Sequence, residues 1–516
     1  MEQSTAFQAL TQAPKFYVVL STIALLALWK IQSWAVMHRR KSKFMREHGC
    51  QDPAKYPNKD PIFGLDLLWD NYQSMRNHRI LPKMAGRFQK VGANTYSFLL
   101  AGRHRLSTVE PENVKALLST KFTSFMLPPR RTHVLKQFIG ESIFASNGPQ
   151  WQHSRAIIRP HLAKDSFIDS EMSRFEKHFG RLLSSIPRDR STIDLQPLFF
   201  SFTMDAAIDM LTGKDLQSEE QRALAKDDNI VELFDDAQRL LAFRAIMPFG
   251  EMSAKEKGNI KRCHNWVDRC VVQAMQEHKL GKVVEAGEKR CFLQKLVTEM
   301  DDVVQIRSEL IALLIAGRDT TASTLSSLWF VLAKRPDVVA KLQAEVAELN
   351  GERPGFTRLK QMTYVQHTVR EVLRLYPPVP AAGFEATEDT FLPVGGGADG
   401  KSPIFVPKGQ AIAYSVYALH RRKDIYGPDA EMFRPERWED KSLRPGWGYL
   451  PFNGGPRACL GQQFALTEIA YTTVRLLQEF QAVESRDDSP WQENWMTSCS
   501  VLTGCQVSLI PYDDVV

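Results

Sequence analysis

The 516-residue chain has no Cys-x-x-Cys pair, although it carries seven cysteines: Cys50, Cys263, Cys270, Cys291, Cys459, Cys499 and Cys505. That spacing excludes a zinc ribbon. An odd number of thiols in so long a chain suits a reducing compartment rather than a disulfide scaffold. Internal repeats are absent, and there is no low-complexity run beyond Gly395-Gly396-Gly397. Past Pro61 no second linker appears, so one large domain is expected, although length alone at ~150 residues per domain would suggest about three. Charge of one sign is scarce too: Lys+Arg 66 against Asp+Glu 59 leaves a net charge of +7. So diluted an excess does not point to nucleic acid, but it suits an acidic partner protein or an anionic membrane surface. With 43% hydrophobic and 24% charged residues, the proportions are globular and exclude a disordered or collagen-like chain.

One long apolar run is present. Residues 16–37 read FYVVLSTIALLALWKIQSWAVM. As a helix they would rise about 33 Å at ~1.5 Å per residue, enough to cross a bilayer core. The single charge, Lys30, lies near the end and can snorkel, and Trp29 and Trp34 suit the interface. A cleaved signal peptide is the competing reading. Against it, His38-Arg39-Arg40-Lys41-Ser42-Lys43 follows as a stop-transfer flank, and no good small-residue cleavage site precedes it. The expected organisation is therefore a lumenal stretch 1–15, a transmembrane helix 16–37, a basic and Pro-containing linker 38–62 (Pro53, Pro57, Pro61), and a body 63–516. Positive charge following the span places the body in the cytosol.

Helical periodicity dominates the body. Helices are expected over 110–118, 150–162, 169–183, 199–211, 255–279, 303–333, 336–349, 364–375 and 459–480. Strand signals are few: 95–100 and 105–109 flanking Ala101-Gly102, then 403–406 and 506–510. The fold class is mainly α with small β-sheets.

Three stretches carry chemistry. Within 303–333 sits Ala316-Gly317-Arg318-Asp319-Thr320-Thr321, where Gly weakens a helix by about 1 kcal/mol and Thr competes for backbone carbonyls. This predicts either a local distortion opening a groove beside an acid and a hydroxyl, or a tolerated glycine next to a capping Asp. Glu371 and Arg374 stand three apart on one helical face, before Tyr376-Pro377-Pro378 ends the helix. Downstream, Phe433-Arg434-Pro435-Glu436-Arg437-Trp438 offers the same glutamate a second arginine. Most telling is Phe452-Asn453-Gly454-Gly455-Pro456-Arg457-Ala458-Cys459-Leu460-Gly461. A Gly- and Pro-rich loop here delivers one cysteine to an expected helix N-terminus, where the dipole and free N–H groups favour thiolate. A thiolate flanked by N–H donors is what a soft-ligated metal needs, and glycines let a flat ligand approach the backbone. A buried structural cysteine is the alternative.

The pattern F-x-x-G-x-R-x-C-x-G resembles that of the cytochrome P-450 superfamily of haem-thiolate monooxygenases, the family whose cysteine ligation favours O–O cleavage. The resemblance runs from about residue 55 to the end. It implies the cytochrome P-450 fold as a single large haem domain, and haem b as cofactor. It makes Cys459 the iron ligand and Arg457 a propionate contact, with Phe452 and Gly461 beside the haem. Trp151 and Arg155 of Trp-Gln-His-Ser-Arg would hold a propionate, and Asp319 and Thr320 would be the acid–alcohol pair at the oxygen site. Glu371, Arg374 and Arg437 would form the structural Glu-x-x-Arg network. The stretches Gly317-Arg318-Asp319-Thr320-Thr321-Ala322, His153-Ser154-Arg155, Tyr414-Ser415-Val416-Tyr417-Ala418-Leu419-His420-Arg421 and Gly461-Gln462-Gln463-Phe464-Ala465-Leu466-Thr467-Glu468 resemble the alkane- and fatty-acid-hydroxylating branch of yeasts. After Val379-Pro380 that branch continues with an Asn-Phe-Arg-like stretch, where this chain has Ala381-Ala382-Gly383-Phe384-Glu385.

The expected activity is hydroxylation of a C–H bond in a lipophilic substrate with O2 and NADPH-derived electrons. The substrate is a long aliphatic chain or a bulkier polyketide or terpenoid intermediate. Residues 122–143, Leu313, Ala316, 381–385 and 497–501 should wall its pocket. The expected partners are NADPH–cytochrome P-450 reductase and membrane lipid, at the endoplasmic reticulum. A haem-thiolate isomerase or dehydratase, needing neither O2 nor reductase, is the alternative that the acid–alcohol pair disfavours.

Overall fold

The computed structural model describes residues 38–512 apart from 163–164, 217–228, 247–251 and 282–290, with a few positions between 21 and 36. The expected span 16–37 falls largely outside the described residues, and among those described no helix is long and apolar enough to cross a membrane. The longer helices from residue 60 on are α1 (Leu65–Arg76), α2 (Ile80–Val91), α3 (Pro129–Ile139), α4 (Gly148–Leu162), α5 (Asp165–Ser184), α6 (Leu195–Thr212), α7 (Ile230–Ile246), α8 (Ala254–Lys279), α9 (Val303–Leu332), α10 (Pro336–Ala347), α11 (Thr363–Leu375) and α12 (Gln462–Glu479).

The axis of the molecule is α9. Asp302 caps its start by accepting from the Val304 and Gln305 N–H groups. Burial follows its whole circumference, from Ile306 to Leu332, so no apolar stripe is distinguishable. It packs along α6 and also touches α3, α8, α10, α11 and α12. The expected distortion at Gly317 is not a break. The helix is continuous, and the Thr320 hydroxyl is satisfied within it by donating to the Ala316 carbonyl at 2.7 Å.

A six-stranded sheet stands beside the helices, in the order Ala54–Lys55, Thr95–Leu100, Arg103–Thr108, Ala411–Ser415, Ala381–Ala386 and Phe125–Met126. Its hairpin turns at Ala101 and Gly102, both with positive φ (52° and 72°), as a two-residue turn matched to strand twist requires. The segment expected as a linker lies on the body. Residues 38–48 are helical, Phe44 packs 5.0 Å from Phe405 between ring centroids, and Arg40 pairs with Asp389 at 2.6 Å. Ala54–Lys55 then joins the sheet beside Tyr96 and Ser97.

Candidate functional site

The cysteine loop is held by features only certain residues allow. Gly455 has φ 63°, and a Cβ there would overlap the Leu118 carbonyl, so glycine lets the loop lie against residues 116–120. Asn453, also left-handed at φ 61°, accepts from the Tyr414 hydroxyl at 2.9 Å. The Cys459 N–H donates to the Phe452 carbonyl at 3.0 Å and closes the loop. Cys459 therefore belongs to the loop. The helix α12 starts at Gln462 with Gly461 as its cap, which corrects the expected start at the cysteine.

Cys459 is exposed, whereas the other six cysteines are buried. Yet protein atoms crowd around it, and burial pushes its thiol pKa up, opposed by a hydrogen bond from the Gly461 backbone and the charge of Arg155. A side chain both open and surrounded lines an internal cleft. Beside it, a Cβ built on Gly461 would meet open space.

Three arginines face this region. The Arg457 guanidinium sits 4.5 Å from the Trp151 ring centroid and donates to the Ser146 carbonyl (3.0 Å) and Asn147 Oδ1 (3.1 Å). Burial, with Arg131 and Arg155 adding repulsion, lowers its pKa to about 10. Arg155 donates to the Ala458 carbonyl at 3.0 Å and lies 5.8 Å from Trp151. Arg131 is exposed in the same open-yet-surrounded manner, its pKa lowered by burial, and makes no hydrogen bond or ion pair among the described residues. Trp151 is 5% exposed, and its indole N–H has no hydrogen-bond partner among the described residues. Among the described residues no carboxylate pairs with any of the three arginines. A cleft with one open thiol, uncompensated cations and a spare indole donor fits a planar group carrying anionic arms and a thiolate-seeking metal, as haem b is.

On α9, Thr320 is half-buried while Asp319 is 2% exposed. The Asp319 carboxyl accepts from the Thr497 hydroxyl at 3.0 Å (Oδ2), and Arg318 Nη1 stands 3.4 Å from Oδ1. Burial pushes the Asp319 pKa up to about 6, against the pull of Arg318 and Thr497. Arg318 itself pairs with Asp235 of α7 at 2.5 Å. Asp319 borders a cavity of about 680 Å³ lined among others by Phe200, Asp235, Gln238, Arg318 and Thr497. Neither Cys459 nor Thr320 lines it. Of the expected pocket walls, Leu313 and Ala316 are half-buried on α9, whereas the turn at Thr497 and Ser498 lies against this second cavity.

Glu371, Arg374 and Arg437 meet with 0%, 0% and 2% exposure. Arg374 grips Glu371 through two parallel bonds of 2.9 and 2.8 Å. Arg437 Nε reaches Glu371 at 3.4 Å, the Trp438 indole donates at 3.1 Å and the Arg434 N–H at 2.9 Å. His420 ties this knot to the cysteine loop. Its Nδ1 bonds the Arg374 carbonyl at 3.1 Å, and its Nε2 accepts the Leu450 N–H at 2.8 Å. Burial lowers its pKa to about 3, so it is a neutral connector.

Sequence reasoning placed Arg131 and Thr497 only within the expected pocket walls, 122–143 and 497–501, gave them no role of their own, and missed Gln238. No local signal marks them, because packing from distant segments brings them there. It also left out a role for Glu468, which burial pushes up to about 8 beside the Thr321 hydroxyl.

The family model described as Cytochrome P450 matches residues 56–504. The chain is 42% identical over 489 residues to the cytochrome P450 monooxygenase himC of Aspergillus japonicus, covering 92% of this chain and 86% of that one. It is 38% identical to the cytochrome P450 monooxygenase fsdH of Fusarium heterosporum, covering 98% and 92%. Cytochrome P450 52A12 of Debaryomyces hansenii is 37% identical, covering 88% and 91%. The chain belongs to the cytochrome P450 family, monooxygenases that hold haem b through a cysteine thiolate.

Proposed function

We propose that this P450 hydroxylates C–H bonds of a lipophilic substrate, with O2 and electrons from NADPH passed by NADPH–cytochrome P-450 reductase, while anchored to the endoplasmic reticulum membrane. The observation that carries the reading is the one open cysteine, Cys459, facing a cleft ringed by Arg131, Arg155 and Arg457 without carboxylate partners. Cys459 would ligate the iron. Arg457, Arg155, Arg131 and the Trp151 N–H would hold the propionates, and Phe452 and Gly461 would flank the macrocycle. When bound, the thiolate-ligated haem supplies oxygen activation and C–H oxidation.

The chain's own residues do the rest. Thr320, its hydroxyl donating to Ala316, presents an oxygen that can accept a proton or hold a water in the cleft. Asp319, with a pKa of about 6, exchanges protons near neutrality and can pass them toward Thr320. Glu371, Arg374, Arg437 and His420 keep the cysteine loop rigid.

Membrane anchoring is supported by the apolar run 16–37 and its basic flank. It is also supported by an uncovered apolar face on α1, where Leu65, Leu68, Trp69 and Tyr72 are exposed between 39% and 63%. The substrate is a long aliphatic chain or a polyketide or terpenoid intermediate of fungal secondary metabolism. Relatives named from both yeasts and filamentous fungi support keeping both classes. Gly383, the third residue of the departing Ala381–Ala386 strand, has only the Ile412 carbonyl within 4 Å of a built Cβ, at 3.7 Å.

Product analysis with purified reductase tests this. NADPH- and O2-dependent hydroxylation of either substrate class is expected. Turnover of a haem-loaded enzyme without NADPH or O2 would contradict it.

A further inference from the structure

The cavity beside Asp319 contains an arrangement that the reading of this residue as a proton donor does not use. Thr497, in the turn after the Glu493–Trp495 strand, has one hydroxyl hydrogen and two acceptors: Asp319 Oδ2 at 3.0 Å and Gln238 Oε1 at 3.2 Å. Gln238, on α7, is 6% exposed, and its amide nitrogen is buried without a well-aligned partner. The turn cannot drift. Ser498 donates to the Asp319 backbone carbonyl at 3.4 Å and shares a hydrogen bond with Ser323 at 3.0 Å, so the residue next to Thr497 is tied to α9 at Asp319 and one turn further on.

One hydroxyl cannot donate to both acceptors at once. When Asp319 is a carboxylate, the Thr497 hydrogen belongs on Oδ2. When a proton from cavity water binds Oδ2, that new O–H donates to the Thr497 oxygen, and the Thr497 hydrogen turns to Gln238 Oε1. Loss of the proton back to cavity water reverses both rotations, so the only covalent change is one O–H bond on water exchanged for one on the carboxyl. The charged groups around this exchange are Arg318 on α9, Asp235 and Arg239 on α7, and Asp205 on α6.

We infer that Thr497 is a positioning residue for Asp319, orienting its carboxyl toward the cavity and letting a single hydroxyl hydrogen follow its charge as protons enter from that side. The inference rests on the reading of Asp319 as the proton-delivering acid.

The test compares Thr497→Val, Thr497→Ser and Asp319→Asn in the haem-loaded protein. The Asp319 carboxyl band, identified by its loss in Asp319→Asn, is titrated by difference infrared spectroscopy on the resting enzyme. Removing the hydroxyl donor should raise its midpoint by about one pH unit, roughly a tenfold change in ionisation. The alkaline limb of kcat should move the same way, with KM unchanged, and Thr497→Ser should restore both. If Thr497→Val keeps the wild-type midpoint and limb while Asp319→Asn loses turnover, the inference about Thr497 is overturned and the acid stands. If Asp319→Asn keeps full turnover, the acid reading fails and takes this one with it.

Discussion

The guanidinium of Arg457 lies 4.5 Å from the ring centroid of Trp151, two residues before the cysteine on one side and in the first turns of α4 on the other. With Arg155 and Arg131 it forms a basic wall that no acid among the described residues pairs with. Replacing Arg131 or Arg457 by Ala should leave the fold intact and speed haem loss. At about 1.5–3 kcal/mol for a hydrogen bond to a charged group, the increase should be roughly ten- to a hundredfold. Transfer of haem to excess apomyoglobin measures it, and wild-type rates in both variants would remove these arginines from the haem site.

Glu371→Gln should damage folding rather than chemistry. The carboxylate neutralises two buried guanidiniums, Arg374 and Arg437, and receives the Trp438 and Arg434 N–H groups. Breaking a buried pair from one side costs about 3–5 kcal/mol. The expected outcome is a large fall in thermal midpoint and poor recovery of haem-loaded protein. A variant as stable as wild type would show that the knot does not hold the loop.

Glu468 predicts a pH trend. Its folded pKa is raised by burial to about 8 from an ordinary 4.5, so the folded state keeps a proton that the unfolded state releases. The stabilising contribution is complete below about 4.5 and declines as pH rises toward 8. Relative to Glu468→Gln, whose side chain cannot ionise, wild-type thermal stability should fall across that window. Parallel pH curves for the two proteins would contradict the burial argument.

Thr320→Ala should uncouple reductant use from product. Thr320 is half-buried and its hydroxyl is already anchored on Ala316, so on the proposed role its removal changes proton handling without opening the helix. NADPH consumption should continue while product per NADPH drops several-fold and peroxide rises. Unchanged coupling would exclude Thr320 from proton delivery.

Much of this site was legible because it is local. The cysteine loop packs five fixed positions into ten residues, and Glu371 and Arg374 are neighbours on one helical turn. The helical body was legible for the same reason, with α9 and α11 ending within a residue of the periodicity. What could not be read comes from tertiary packing. Arg131 precedes the α4 motif by twenty residues, and nothing in its surroundings marks a charge left without a partner. Thr497 meets Asp319 across 178 positions of sequence. The helix at 38–48 docks on a hairpin near residue 400, where composition suggested only a linker. Helices α1, α2, α3 and α7 escaped because prolines, glycines or mixed polarity blur their period. The start of α12 was misplaced because Cys459 belongs to the loop that closes on Phe452, a contact invisible in sequence, and the helix begins at Gln462.

The reduced, CO-bound absorbance spectrum of Cys459→Ser tests the central claim most directly. If Cys459 ligates the iron, wild type gives the red-shifted thiolate band and the variant, loaded with haem, loses it entirely. A Cys459→Ser protein that keeps that band would show that another residue holds the iron.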